Sequence, residues 1–211
     1  VQDVAVMDVV GLGLRRGRAM LFRDLSFSLV RGRLMHLTGA NGAGKTSLLR
    51  TLLGLTTPSA GQVNWCGTPI AKQRETYHRA VFWSGHAAQL KDDLTAAENL
   101  CVASALAGDA IGPKAAQRVL DEIGLSGQRS LPARLLSAGQ RRRAALARLA
   151  LSRERPLWIL DEPFNAVDAA ASGWLQRQLG DHVDRGGMVV LTSHCTPTAV
   201  SALRDVVTVA L

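Results

Sequence analysis

Gly39-Ala40-Asn41-Gly42-Ala43-Gly44-Lys45-Thr46 reads G-x-x-x-x-G-K-T, and its flanks decide the fold. Residues 34–38 (Leu-Met-His-Leu-Thr) form a short apolar run of strand type. Residues 45–53 carry leucines at helical spacing, with Gly54 placed as a C-cap. A strand, a glycine-rich turn and a helix in that order make a phosphate cradle. The glycines let the backbone curl so that successive amides point inward at phosphate oxygens. The start of the helix adds its partial positive charge. On this reading Gly39, Ala40, Asn41, Gly42, Ala43, Gly44 and Ser47 surround the phosphates of a nucleotide. Lys45 reaches the β- and γ-phosphates, and the Thr46 hydroxyl faces Mg2+.

The second informative stretch is Pro156-Leu157-Trp158-Ile159-Leu160-Asp161-Glu162-Pro163. It is a buried-type strand ending in two carboxylates, which places them at the carboxyl edge of a sheet, where α/β proteins bind ligands. Asp161 is then expected to hold Mg2+ and Glu162 to orient and deprotonate an attacking water. A strand followed by Asp-Glu is by itself a common surface turn. Paired with the glycine-rich loop it specifies a phosphate-loop NTPase.

Between these motifs the chain changes character. Before the first motif, Leu25, Phe27 and Leu29 alternate with Ser26, Ser28 and Val30, a half-buried strand pattern. Residues 62–66 and 80–83 read as further strands. Residues 94–151 are alanine-rich and helical, with a capping box at Thr95 and Glu98, a break at Gly112-Pro113 and a further helix starting at Ser137 or Ala138 and running to Arg148. Strand signals return at residues 157–160, 188–192 and 206–210, with a helix near 168–181 between the first two. The expected fold class is α/β: a RecA-like mixed sheet covered by helices, with an inserted α-helical subdomain. The core falls at about residues 1–86 and 154–211 and the helical subdomain at about 87–153.

Composition bounds the rest. The chain has 211 residues, 47% of them hydrophobic and 20% charged, enough for one domain with a core and too apolar for disorder. No uncharged apolar run approaches ~18 residues, so no membrane span is expected. The opening VQDVAVMDVV lacks the basic segment of a signal peptide. Cys66, Cys101 and Cys195 form no CxxC pair and read as small buried hydrophobes. A net charge of +8 and 21 arginines against 4 lysines suit a polyanionic ligand without choosing among them.

A third stretch, Leu136-Ser137-Ala138-Gly139-Gln140, differs by one residue from LSGGQ, the signature of the ATP-binding-cassette family, which this chain resembles over residues 21–194. A Ser hydroxyl with amides at a helix start can form an anion site. The resemblance implies that Ser137, Gly139 and Gln140 close on the γ-phosphate of ATP held by a second copy, giving an ATP-sandwich dimer. It implies that His194, after the strand at 188–192, is the switch histidine that helps to place the water. Asp168, in Asn165-Ala166-Val167-Asp168, would pass information across the dimer. The family's glutamine, nine residues before the Thr of LTAAENL, is replaced here by His86. Either His86 supplies the Mg2+ and water contact or Gln89 shifts into place, and His86 is preferred. No aromatic for adenine stands near Leu14, Arg15 and Arg16; an Arg plane could stack instead, or base selection could be loose.

The stretches Phe82-Trp83-Ser84-Gly85-His86, LSAGQRRRAALARL and WILDEPFNAVD resemble the ATP-binding subunits of the cytochrome c maturation haem exporters, the CcmA family. That implies an ATPase at the cytoplasmic face of the bacterial inner membrane, peripheral, working with integral membrane subunits. It implies no haem binding by this chain and no specific nucleic acid partner. Two other readings remain at this point: the ATPase of another small transporter, or a soluble cassette acting on nucleic acid. The run Arg141-Arg142-Arg143 reads either as an exposed basic helix start or as a contact for phosphate or an acidic partner.

Overall fold

The computed structural model describes residues 6–193 and 206–211. Along them the chain runs β1 (Met7–Arg16), β2 (Ala19–Leu29), β3 (Leu34–Thr38), α1 (Lys45–Leu52), β4 (Ala60–Trp65), β5 (Thr68–Pro69), α2 (Arg74–Ala80) and β6 (Val81–Ser84). Then follow α3 (Ala96–Leu106), α4 (Pro113–Glu122), α5 (Ala138–Leu146), β7 (Leu157–Leu160), α6 (Ala169–Asp184), β8 (Met188–Thr192) and β9 (Val206–Ala210). Among the described residues no helix is long and apolar enough to cross a membrane.

The strands form two sheets: an antiparallel one in the order β2-β1-β4-β5 and a parallel one in the order β6-β7-β8-β3-β9. The mixture of strand directions expected from the sequence is thus divided between two sheets. β7 and β8 are buried at every position, as parallel strands covered on both faces must be. Alternation sends their side chains into two different cores. Trp158, Leu160, Val189 and Leu191 join Leu34 and Phe82 against α3, α4, α5 and α6. Leu157, Ile159, Met188 and Val190 join Met35 and Leu37 against α1 and the antiparallel sheet. The parallel sheet is therefore the middle layer, and its carboxyl ends carry the motif residues.

Three local findings depart from the sequence reading. β1, the strand beside β2, has no clean alternation, because register shifts between Val9 and Leu12 and again up to Arg15 bulge it. α2 has a single buried residue, Tyr77, too little for a helical apolar stripe. α5 stops at Leu146, and Ala147–Leu151 continues as a 3-10 turn instead of α-helix to Arg148. The cysteine expectation is also corrected. Cys66 is exposed, in a left-handed turn at φ 48°, and Cys101 is half-buried. A position between β4 and β5 serves a tight turn and has no core to enter. Cys195 lies outside the described residues.

Candidate nucleotide site

The phosphate loop leaves β3 and enters α1 through two glycines that no other residue could replace without strain. Gly39 has φ 148°, and a Cβ there would stand 3.1 Å from the Leu211 carbonyl oxygen. Gly44, the N-cap of α1, has φ 105°, with Leu21 3.3 Å from where a Cβ would be. Lys45 is 7% exposed. Its Nζ donates to the carbonyls of Gly39 (2.7 Å) and Ala40 (3.1 Å), which holds the loop curled around the ammonium. An ammonium has three donors, so one remains for a ligand.

The acids stand opposite. Asp161 is 3% exposed, yet both its oxygens are held: Thr46 Oγ1 donates to Oδ2 (2.9 Å) and Thr192 Oγ1 donates to Oδ1 (2.8 Å). Thr192 Oγ1 in turn accepts from the Glu162 amide at 2.9 Å. Phosphate loop, β8 and the acidic turn after β7 are thus joined by one chain of hydroxyls. Glu162 is left-handed, with φ 51°, an unfavourable geometry for a side chain of its kind. A hydroxyl beside a buried carboxylate suits Mg2+, which keeps waters and phosphate oxygens for most of its shell.

Gly44, Lys45, Thr46, Asp161 and Glu162 line one cavity of about 440 Å3, together with Asn41, Gly42, Ser47 and His86; Gly39, Ala40, Ala43 and Thr192 are not part of this lining. His86 is the junction residue that faces the cavity; Gln89 is exposed, has φ 45°, and does not line it. The segment that follows is tied by Asn99, whose side chain bonds Lys91 N (2.7 Å), Lys91 O (3.0 Å) and Leu94 O (3.1 Å). Arg16 and Leu21 also line the cavity, on β1 and β2, as does Asn165. Arg16 stands where the sequence lacks an aromatic; Leu21 carried no signal, since its place at the site depends on β2 lying over the loop.

Ser137, Gly139, Gln140 and Asp168 do not line this cavity. Ser137 caps α5 in a reciprocal box: its Oγ accepts from Gln140 N (3.2 Å) and Gln140 Oε1 accepts from Ser137 N (2.9 Å). Because the Ser137 hydroxyl accepts there, its own proton is available to an anion in front of the helix. Gly139 lies against the Ala166 carbonyl. Asp168 caps α6, accepting from Ala171 N at 2.8 Å, and faces Arg143 at 3.5 Å. His194 lies outside the described residues.

The reading of the triple arginine as an exposed basic helix start is corrected, because all three side chains are engaged within the chain. Arg141 pairs with Asp92 (2.7 Å) and donates to Ala133 O (2.8 Å); Arg143 reaches Asp168 and the Gly124 carbonyl. Arg142 is 6% exposed and donates to four carbonyls, those of Gly85, His86, Asp161 and Glu162. Burial lowers its pKa from the ordinary guanidinium value, while Asp161 and Glu162 favour its charge. No sequence signal separated Arg142 from its two neighbours, because its acceptors are backbone oxygens in the distant segments that follow β6 and β7.

A parallel sheet with a phosphate loop, an acidic pair at its edge and a helical segment bearing LSAGQ defines an ATP-binding cassette, and the ABC transporter family profile matches residues 22–165. A solved structure described as "Structure of ATP binding subunit of ABC transporter" superposes with a TM-score of 0.84 at 26% identity, covering 97% of this chain and 85% of that one. The chain is 48% identical over 194 residues to the "Cytochrome c biogenesis ATP-binding export protein CcmA" of Aromatoleum aromaticum, covering 92% of this chain and 91% of that protein. It is 48% identical over 188 residues to the protein of the same name in Pseudomonas aeruginosa, covering 89% and 91%. The chain belongs to the ABC transporter family, within its CcmA branch, and is an ATPase whose hydrolysis is coupled to transport.

Proposed function

We propose that two copies of this chain sandwich two ATP molecules and drive integral membrane subunits that handle haem during c-type cytochrome assembly. The observation that carries the ATPase site is the hydrogen-bonded series Thr46–Asp161–Thr192–Glu162, which fixes the acids relative to the phosphate loop. The loop amides and Lys45 bind the β- and γ-phosphates. Thr46 and Asp161 hold Mg2+, which when bound neutralises phosphate charge. Glu162 accepts a proton as water oxygen bonds to the γ-phosphorus and the bond to the β–γ bridging oxygen breaks, leaving ADP and phosphate. His86 and His194 orient that water. Ser137, Gly139 and Gln140 complete the site of the opposite copy, which accounts for their absence from the cavity of their own. The relatives' name, with its reference to cytochrome c biogenesis export, supports the haem assignment. A peripheral position on the cytoplasmic face of the inner membrane follows from that role.

The test uses the chain assembled with its membrane subunits. A Glu162→Gln variant binds Mg·ATP and dimerises, but its turnover falls about a hundredfold or more, the loss typical of a missing general base. Hydrolysis at the wild-type rate would remove Glu162 from that role. Failure of the folded wild type to bind Mg·ATP would remove the whole site.

A further inference from the structure

We propose that Arg142 is a positioning residue that makes turnover at one nucleotide site depend on occupancy of the other. The inference rests on the sandwich reading, in which Ser137 touches the nucleotide bound by the opposite copy, and adds the path by which that contact reaches this copy's own acid.

The geometry is a fork at the mouth of two strands. β6 and β7 pair through Ser84 and Leu160, and the last rung is Asp161 N donating to Ser84 O at 2.8 Å. Beyond it the strands part, and the Arg142 guanidinium fills the gap. Nη1 donates to Gly85 O (3.0 Å) and His86 O (3.1 Å), and Nη2 to Asp161 O (3.2 Å) and Glu162 O (2.7 Å). A planar, always-charged fork can serve four oxygens in this way; an ammonium cannot. The shortest of the four bonds holds the carbonyl of Glu162, whose left-handed backbone needs external support.

The same helix carries the other contact. Ser137 caps α5, and Arg142 lies five residues on, about 7.5 Å along the axis. The reciprocal cap ties Ser137 to the helix that carries Arg142, so a displacement of Ser137 is passed to the guanidinium, and with it to the segments bearing His86 and Glu162. Arg143 and Asp168 brace the outer side of the helix. A filled opposite site therefore seats α5, and seated α5 aligns this copy's acid.

Mixed dimers of two differently tagged copies, assembled with the membrane subunits, test this. One copy carries Lys45→Ala so that its loop holds no ATP; turnover at the intact loop is compared with that of the unblocked dimer, per site. In the wild-type background the block lowers turnover at the intact loop about tenfold, a coupling of ordinary size. With Arg142→Gln in the intact copy its turnover is lower but no longer depends on the block, so the ratio approaches one. Arg142→Lys, the milder change should the first variant fail to fold, gives an intermediate ratio. A merely structural role would lower both rates and leave the ratio at the wild-type value, which would overturn the proposal. So would a wild type indifferent to the block, although the ATPase reading would then survive. A wild type that neither binds nor hydrolyses Mg·ATP would instead overturn the reading on which the proposal rests.

Discussion

The residues that define this site differ in how far away their partners lie. The loop from Gly39 to Thr46 acts through its own backbone, so its spacing along the chain is its geometry. Arg142 acts on carbonyls 57, 56, 19 and 20 residues away, and no local pattern encodes them. His86 stands between these cases: a place in the family pattern marked it, and the cavity wall chooses it over Gln89. His86→Ala is expected to lower turnover about tenfold or more with ATP affinity nearly kept, whereas Gln89→Ala leaves turnover within twofold, since only the first touches the cavity. Steady-state ATPase assays on the assembled complex check this. The reverse result would place Gln89 at the water.

At the scale of elements, period and capping were legible where a strand or helix is regular and faded where it is interrupted. The Thr95 cap was readable because a capping box spans only four residues, and the start of α5 was narrowed to Ser137 or Ala138, of which the structure selects Ser137 as the cap. β1 was not, because its bulges break the alternation that marks a strand. Tertiary packing also imposes demands with no sequence pattern. Where α6 meets β7, the His182 ring stacks on Trp158 at 3.9 Å and 6° between planes. A Cβ on Gly187 would fall on that ring. The ring is trapped between Trp158 and the turn into β8, so Gly187→Ala is expected to destabilise the fold by about 1–3 kcal/mol, the cost of overpacking. Urea unfolding of the isolated chain measures it. An unchanged midpoint would show that the ring has room to move. Arg155 shows a second such demand. It joins the end of α2 to the end of α3 by donating to Arg79 O (2.8 Å) and pairing with Asp109 (3.0 Å).

At the scale of the molecule, buried histidines tie stability to pH. Burial and the nearby Arg185 lower the His182 pKa to about 4, and burial lowers that of His36. Unfolded, both return to the ordinary value of 6.5. Between those limits the unfolded chain binds more protons than the folded one. Stability is therefore full above about pH 6.5 and falls as pH drops toward 4. For His182 the loss between pH 7.5 and 5 is on the order of 2 kcal/mol. Urea midpoints across that range are expected to fall in the wild type and to flatten in His182→Phe, which keeps the stack on Trp158. An equal slope in both would assign the acid sensitivity elsewhere. The charge of +8 also takes a different meaning at this scale, because Arg142 is wholly internal and Arg141, Arg143 and Arg155 are bonded within the chain. By itself the sequence determined the phosphate loop, the acidic edge, the signature helix and the α/β class, because each depends on spacing within a few residues or on a buried strand's unbroken apolar run. Only the tertiary structure decided that the strands divide into two sheets, that His86 rather than Gln89 faces the cavity, and that Arg142 clasps the ends of β6 and β7. Those outcomes are set by which distant segments pack together, and that choice lies in the shared core between them rather than in any one stretch of chain.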